Sequence, residues 1–114
     1  LAFLQTQQGQ EKANMSIPFP YQVKKRTVVF GGHEAWLKQM KELLTGDIRF
    51  IVDLKVPPDV IRNAEIIWLQ TDCISHNKYY WVIDTCKKAG VQFRIFPSRY
   101  YRACAEKVYE FDKK

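Results

Sequence analysis

From position 27 onward, short apolar runs alternate four times with segments whose apolar residues recur at helical spacing. The runs are rich in β-branched and aromatic residues, a composition that predicts β-strands. The third run is apolar throughout, which is typical of a strand covered on both faces. The four predicted strands cover positions 28–30, 48–52, 66–69 and 91–96.

A helix is predicted after each strand. In the first helical segment, Trp36, Met40 and Leu43 are spaced i, i+4 and i+7, as on one buried helix face. Proline is well tolerated in a first helical turn, so Pro57 and Pro58 predict the start of a short second helix. The remaining helix boundaries are predicted by capping serines and terminating glycines: Ser75, Ser98, Gly46 and Gly90.

The order of these elements predicts the fold class. Each connection contains a helix and is too long for a hairpin, so neighbouring strands are predicted to be parallel, with right-handed crossovers. We expect an α/β fold: a small, Rossmann-like, doubly wound sheet of four parallel strands in the order 2-1-3-4, with helices on both faces. This domain is predicted to cover residues 27–114. Residues 1–26, with Pro18 and Pro20, are predicted to form an N-terminal arm or linker outside the sheet or lying on it.

Composition restricts the class of protein further. The 114 residues are 46% hydrophobic and 26% charged, as in an ordinary globular domain. Because no apolar run reaches the roughly 20 residues that a membrane-spanning helix needs, we expect no membrane partner and a cytoplasmic location. The three cysteines form no Cys-x-x-Cys motif and are expected to be reduced thiols.

The net charge of +6 is unevenly distributed. Residues 1–26 hold four basic residues and one acidic residue, which is half of the excess. Lys24, Lys25 and Arg26 form a basic cluster that is predicted to lie just before the first strand. Two interpretations remain open for this cluster: contact with nucleic-acid phosphates, or plain solvation of a short charge run.

The predicted topology selects a candidate site. Open parallel sheets bind ligands beyond the carboxyl ends of their strands, where the strand order reverses. In a 2-1-3-4 sheet this switch point lies between strands one and three, and the loop after strand four reaches the same edge. The loops there contain both histidines of the chain. The predicted ligand-binding residues are Gly31, Gly32, His33, Asp72, Cys73, Ser75, His76, Ser98 and Arg99.

These residue types favour an anionic ligand. Helix N-termini offer unpaired backbone N–H groups, and a glycine pair permits close approach of a phosphate or carboxylate to the backbone. Serine hydroxyls and the Arg99 guanidinium add further donors. The sequence Gly31-Gly32-His33 is neither a Gly-x-Gly-x-x-Gly nor a Walker motif. A purely structural interpretation also remains open, in which the glycines form a tight turn and the serines cap helices.

Other function classes remain open beside a binding or regulatory module. His33 and His76, together with Cys73, Asp72 or Glu34, are candidates for a metal site or an acid–base pair, which would indicate a phosphoester enzyme. A third alternative is a protein- or nucleic-acid-interaction factor that works through its surface and its basic arm. Enzymatic activity is left undecided, a binding module is favoured over an enzyme, and no cofactor is assigned.

Three motifs carry a family resemblance. They are VVFGGHEAW at 28–36, ISHNKYY at 74–80 and Pro-Ser at 97–98. Read together, they resemble the bacterial family catalogued as domain of unknown function 2325, over residues 27 to about 110. The resemblance implies a bacterial or mobile-element origin and a small Rossmann-like domain. It implies no established activity, so no catalytic role follows from it.

Overall fold

The computed structural model describes residues 18–52, 57–72 and 74–114. Strands and helices alternate along these ranges, as the apolar pattern predicts. The elements are β1 (Tyr21–Gly31), α1 (Glu34–Leu43), β2 (Leu44–Ile51), α2 (Pro58–Arg62), β3 (Ile66–Gln70), α3 (His76–Ala89), β4 (Gln92–Ile95) and α4 (Tyr101–Asp112). No helix in the described ranges is long and apolar enough to cross a membrane.

The four strands form one parallel sheet in the order β2-β1-β3-β4, which confirms the predicted topology. β1 is central: Val28 pairs with Arg49 of β2 on one side and with Ile67 of β3 on the other. The strand order reverses between β1 and β3. The switch point therefore lies at the carboxyl ends of these two strands, where the candidate site was predicted.

Helices cover both faces of the sheet. Alternate residues of a strand point to opposite faces, and Val29 and Trp68 pack in one core cluster with residues of α1 and α4. Val28 and Ile67 pack in the second cluster, with residues of α2 and α3. Each of these side chains is at most 4% exposed. Burial of one such side chain stabilises the fold by about 1.5–3 kcal/mol, so the two clusters account for the doubly wound arrangement.

The first strand is longer than predicted. It begins at Tyr21, six residues before the expected domain boundary at Thr27, so residues 21–26 belong to the sheet and not to an arm. Val23 explains the extension, because it is 2% exposed and packs in the core cluster of α1 and α4. The rest of the predicted arm, residues 1–17, lies outside the described residues.

Gly46 does not end the first helix. α1 ends at Leu43, and Leu44 already begins β2. Gly46 lies inside β2 opposite Val23, with a φ of +88°, and a Cβ there would overlap the Val23 backbone. The glycine is therefore required by close strand contact beside the register shift that follows Val23 in β1.

The boundaries of the last two helices test the capping predictions. The Ser75 hydroxyl accepts a hydrogen bond from the Lys78 N–H at 3.1 Å, and Gly90 follows α3 with a φ of +73°, so both predicted ends are confirmed. Ser98 is not the N-cap of α4. That helix begins at Tyr101, and the Ser98 hydroxyl accepts instead from the Tyr100 N–H at 3.2 Å, within the preceding loop.

Candidate functional site

The carboxyl ends of β1, β3 and β4 meet at one edge of the sheet. The Gly32 N–H donates to the Asp72 carbonyl oxygen at 2.9 Å, which joins the loop after β1 to the loop after β3. The Phe96 N–H donates to the Leu69 carbonyl oxygen at 2.9 Å and holds the loop after β4 against β3. The three loops of the predicted site are thus brought together as the topology requires.

Gly31 and Gly32 are explained by packing within the protein. Their φ angles are +89° and +106°, a region that L-residues with a Cβ rarely adopt. A Cβ on Gly31 would overlap the carbonyl oxygen of Gln70, and one on Gly32 would overlap the Trp36 ring. The space beside each glycine is occupied by the protein itself. The glycine pair therefore forms a tight turn in which Gly31 packs closely against β3 and Gly32 against α1. This agrees with the structural interpretation of the two glycines.

Gln70 organises the site, although the sequence pattern did not single it out. It ends β3 and is 1% exposed. Its side-chain amide donates to the Ser98 carbonyl oxygen at 3.0 Å, and its side-chain oxygen accepts from the Asp72 N–H at 3.3 Å. Buried polar groups require such partners. The available signal was a polar residue directly after the apolar run of β3.

Asp72 and Arg99 face each other across the mouth of a cleft. The Arg99 guanidinium lies 3.6 Å from the Asp72 carboxylate, with side-chain exposures of 77% and 28%. The two side chains form an ion pair, but their atoms are too far apart for a hydrogen bond. The cleft has a volume of about 380 Å³ and is lined by Gln70, Thr71, Asp72, Phe96, Pro97, Ser98 and Arg99.

A second, smaller recess adjoins this cleft. Its volume is about 170 Å³, and it shares Thr71 with the cleft. Tyr80 is the most exposed aromatic residue of the recess, at 63%, and its ring lies edge-to-face to that of Tyr79 with centroids 5.2 Å apart. The residues that line it are Thr71, Ile74, His76, Tyr79 and Tyr80.

The two histidines begin helices at this edge. His33 is the N-cap of α1, and its Nδ1 accepts from the Ala35 N–H at 3.4 Å. His76 is the first residue of α3, is exposed, and has its ring 6.4 Å from that of Tyr80. Within the described ranges, no three His, Cys, Asp or Glu side chains are grouped so that they could hold a metal ion. Cys73, a predicted ligand, lies outside these ranges.

The basic cluster lies inside β1 and not before it. Lys25 donates through Nζ to the carbonyl oxygens of Asp112 and Lys114, each at 2.9 Å. It thereby satisfies carbonyl groups at the end of α4, where a cation is also favoured by the helix dipole. Arg26 donates to the Asn63 carbonyl oxygen at 3.2 Å. Lys24 has an exposed side chain. Two of the three basic side chains therefore have structural partners, and nucleic-acid contact stays a prediction.

The fold and the cleft define the class: a small, Rossmann-like α/β domain with a candidate ligand site at the carboxyl edge of its sheet, between the ends of β3 and β4. No protein-family model, no curated protein and no solved structure matches this chain. The resemblance to domain of unknown function 2325 therefore stays a prediction.

Proposed function

We propose that this domain is a binding or regulatory module that takes a small, phosphate-bearing ligand in the cleft beside Arg99. The observation that carries the proposal is the position of Arg99. Its guanidinium is exposed at the mouth of a cleft of about 380 Å³, at the carboxyl edge of a doubly wound sheet. Sheets of this kind bind ligands outside the carboxyl ends of their strands, and this cleft lies at that edge, on the β4 side of the switch point between β1 and β3.

The donors of Arg99 support an anionic ligand. A guanidinium has five N–H donors in a planar fork that matches phosphate and carboxylate oxygens. The contact with Asp72, at 3.6 Å, is too long to use these donors in hydrogen bonds. Hydrogen bonds that involve a charged partner are about twice as strong as neutral ones. Arg99 can therefore orient a phosphate while Asp72 holds the guanidinium in place.

The surrounding backbone supports the same ligand. α3, of 14 residues, begins at His76, which lines the recess that adjoins this cleft. Helix N-termini carry partial positive charge and favour anions nearby. The loops are held in position by Gln70, whose amide group connects Ser98 with Asp72. A site ordered before binding loses less conformational entropy when the ligand enters.

The cysteines and the family resemblance support a setting for this module. Cys86 and Cys104 are free and fully buried. Burial raises the pKa of Cys86 to about 11 and that of Cys104 above its usual value, so both remain protonated, unreactive thiols. Free thiols of this kind suit a reducing cytoplasm. Together with the resemblance to domain of unknown function 2325, we propose a bacterial, cytoplasmic protein.

Isothermal titration calorimetry with inorganic phosphate, pyrophosphate and ribose 5-phosphate tests the proposal. We expect at least one of them to bind, and Arg99→Ala to weaken that binding about ten- to a hundredfold, the effect of losing a charge-assisted hydrogen bond. Arg62→Ala is the matched control, because Arg62 is an exposed arginine paired with Asp59 on α2. Absence of binding for all three compounds, or equal affinity in the two variants and the unmodified protein, would contradict the proposal.

A further inference from the structure

We infer that the ligand is a mononucleotide, whose base lies in the aromatic recess while its phosphate lies in the cleft beside Arg99. The inference rests on the proposed function and specifies the class of ligand. It starts from the adjacency of the two depressions. Thr71 lines both of them, so a single ligand placed across Thr71 contacts an aromatic surface on one side and Arg99 on the other.

The position of Tyr80 has no explanation in the core. Its neighbours on α3, Tyr79 and Trp81, pack against the core cluster of α2 and α3, whereas Tyr80 is 63% exposed. Tyr80 forms edge-to-face contacts with Tyr79 and His76 and is still exposed beside them. Exposed aromatic rings are the platform on which proteins stack bases, because every base has a π-face.

The recess has the composition expected for a ring-shaped ligand. Small-molecule sites are lined mainly by apolar and aromatic groups with a few polar groups that fix orientation. Here Ile74, Tyr79 and Tyr80 supply the apolar surface, and Thr71 and His76 supply hydrogen-bonding groups. The volume of about 170 Å³ is far larger than the roughly 10–15 Å³ that a cavity needs to hold one water molecule.

Asp72 separates a nucleotide from a bare phosphate. Its carboxylate lies in the same cleft as Arg99 and repels any anion bound there, so a ligand with hydroxyl donors for the carboxylate is favoured over a bare phosphate. A sugar phosphate carries hydroxyl groups that donate to a carboxylate, next to a phosphate that accepts from a guanidinium. The Asp72–Arg99 pair therefore matches a ligand with both kinds of group. Addition of a base to the sugar then accounts for the aromatic recess.

The test compares AMP and GMP with ribose 5-phosphate and adenosine by calorimetry. We expect AMP or GMP to bind at least tenfold more tightly than ribose 5-phosphate. Tyr80→Ala should reduce nucleotide affinity to that of ribose 5-phosphate, whereas Tyr80→Phe should retain it, since the ring and not the hydroxyl provides stacking. Tyr100→Ala is the control, because Tyr100 is 57% exposed and lines neither depression. Melting temperatures verify that each variant is folded.

The outcomes distinguish the inference from the function on which it rests. If ribose 5-phosphate binds as tightly as AMP and GMP, or Tyr80→Ala leaves nucleotide affinity unchanged, the inference is wrong while a phosphate site stands. If adenosine binds as tightly as AMP and Arg99→Ala has no effect, the phosphate site itself is wrong. If none of the four compounds binds, both are overturned.

Discussion

The backbone N–H of Lys25 donates a hydrogen bond of 2.8 Å to the carboxylate of Asp112, which joins the first strand to the end of the last helix. The same carboxylate accepts from the Lys24 N–H at 3.1 Å and from the Tyr21 hydroxyl. Lys25 returns the contact through its side chain, whose Nζ donates to the Asp112 carbonyl oxygen. The register shift in β1 turns two consecutive N–H groups toward one carboxylate, which fastens α4 to the sheet.

We expect Asp112→Asn to lower the free energy of unfolding by about 1.5–3 kcal/mol, the range for hydrogen bonds to a charged group. Asp112 is only 8% exposed, so water cannot replace its partners in the folded protein. Urea denaturation followed by tryptophan fluorescence measures the change. Glu110→Gln on the same helix is the control, because the contact of Glu110 with Lys107 is exposed and 3.9 Å long. Equal stability of the two variants would show that Asp112 does not fasten the helix.

The pH dependence of stability provides a second prediction. Burial opposes ionisation of Asp112, but the hydrogen bonds from Tyr21 and from the Lys25 and Lys24 N–H groups outweigh it and lower the pKa of the carboxyl. A carboxyl whose pKa is lower in the folded state stabilises the protein above its unfolded pKa, about 3.9, and loses this contribution as pH falls through the folded value.

Unfolding in urea at pH 7 and at pH 3 and below measures this effect. We expect the stability difference between the unmodified protein and Asp112→Asn to shrink progressively as the pH falls below about 4. A stability difference that stays constant between pH 7 and the acid end would exclude Asp112 as the titrating group.

Tyr21 titrates at the alkaline end of the range. Burial and the hydrogen bond to Asp112 raise the pKa of Tyr21 to about 12. Its contribution to stability is therefore present below pH 10 and is lost as the pH rises through 12.

The sheet order could be predicted because it depends on local signals. Each strand and each helix can be recognised from a few neighbouring residues, and right-handed parallel crossovers allow only a few strand orders. The start of β1 could not be predicted, because the polar residues Lys24 and Lys25 are satisfied by Asp112, 88 and 87 residues away along the chain. Gln70 was missed for the same reason, since its partner Ser98 lies 28 residues further on. Hydrogen bonds between residues so far apart in the chain do not change the spacing of apolar positions, so the sequence pattern does not reveal them.

Gly32→Ala and Gly90→Ala form a matched pair that tests the tight turn. Both glycines have positive φ, but a Cβ on Gly32 would overlap the Trp36 ring, whereas a Cβ on Gly90 would meet no atom within 4 Å. We expect Gly90→Ala to cost about 1 kcal/mol for its left-handed conformation. Gly32→Ala should cost about 1–3 kcal/mol more, because the core must also shift. Chemical denaturation measures the free energy of unfolding of both variants. Equal losses would show that the Trp36 ring moves aside without a cost in stability.

Gln70→Leu tests the polar connection beneath the cleft. Leucine has a similar volume but leaves the Asp72 N–H and the Ser98 carbonyl oxygen without the partner that Gln70 provides. We expect the free energy of unfolding to fall by about 1–3 kcal/mol, and affinity for the best phosphate compound to fall along with it. Gln92→Leu on β4 is the control, since Gln92 is exposed. If Gln70→Leu binds that compound as tightly as the unmodified protein, Gln70 does not position the cleft.

The basic cluster provides the last prediction, because the structure separates its members by role. Lys25 contacts the carbonyl oxygens at the end of α4, whereas the Lys24 side chain is exposed. We expect Lys25→Ala to lower the free energy of unfolding by about 1 kcal/mol, as for loss of favourable charge at a helix C-terminus, and Lys24→Ala to leave it unchanged. We also expect neither variant to alter the fluorescence anisotropy of a labelled DNA duplex at low salt. Each phosphate contact contributes about −0.9 to the slope of log affinity against log salt concentration. If the protein instead binds the duplex in a salt-sensitive way, and Lys24→Ala both weakens binding and makes the slope shallower by about 0.9, Lys24 is a phosphate contact.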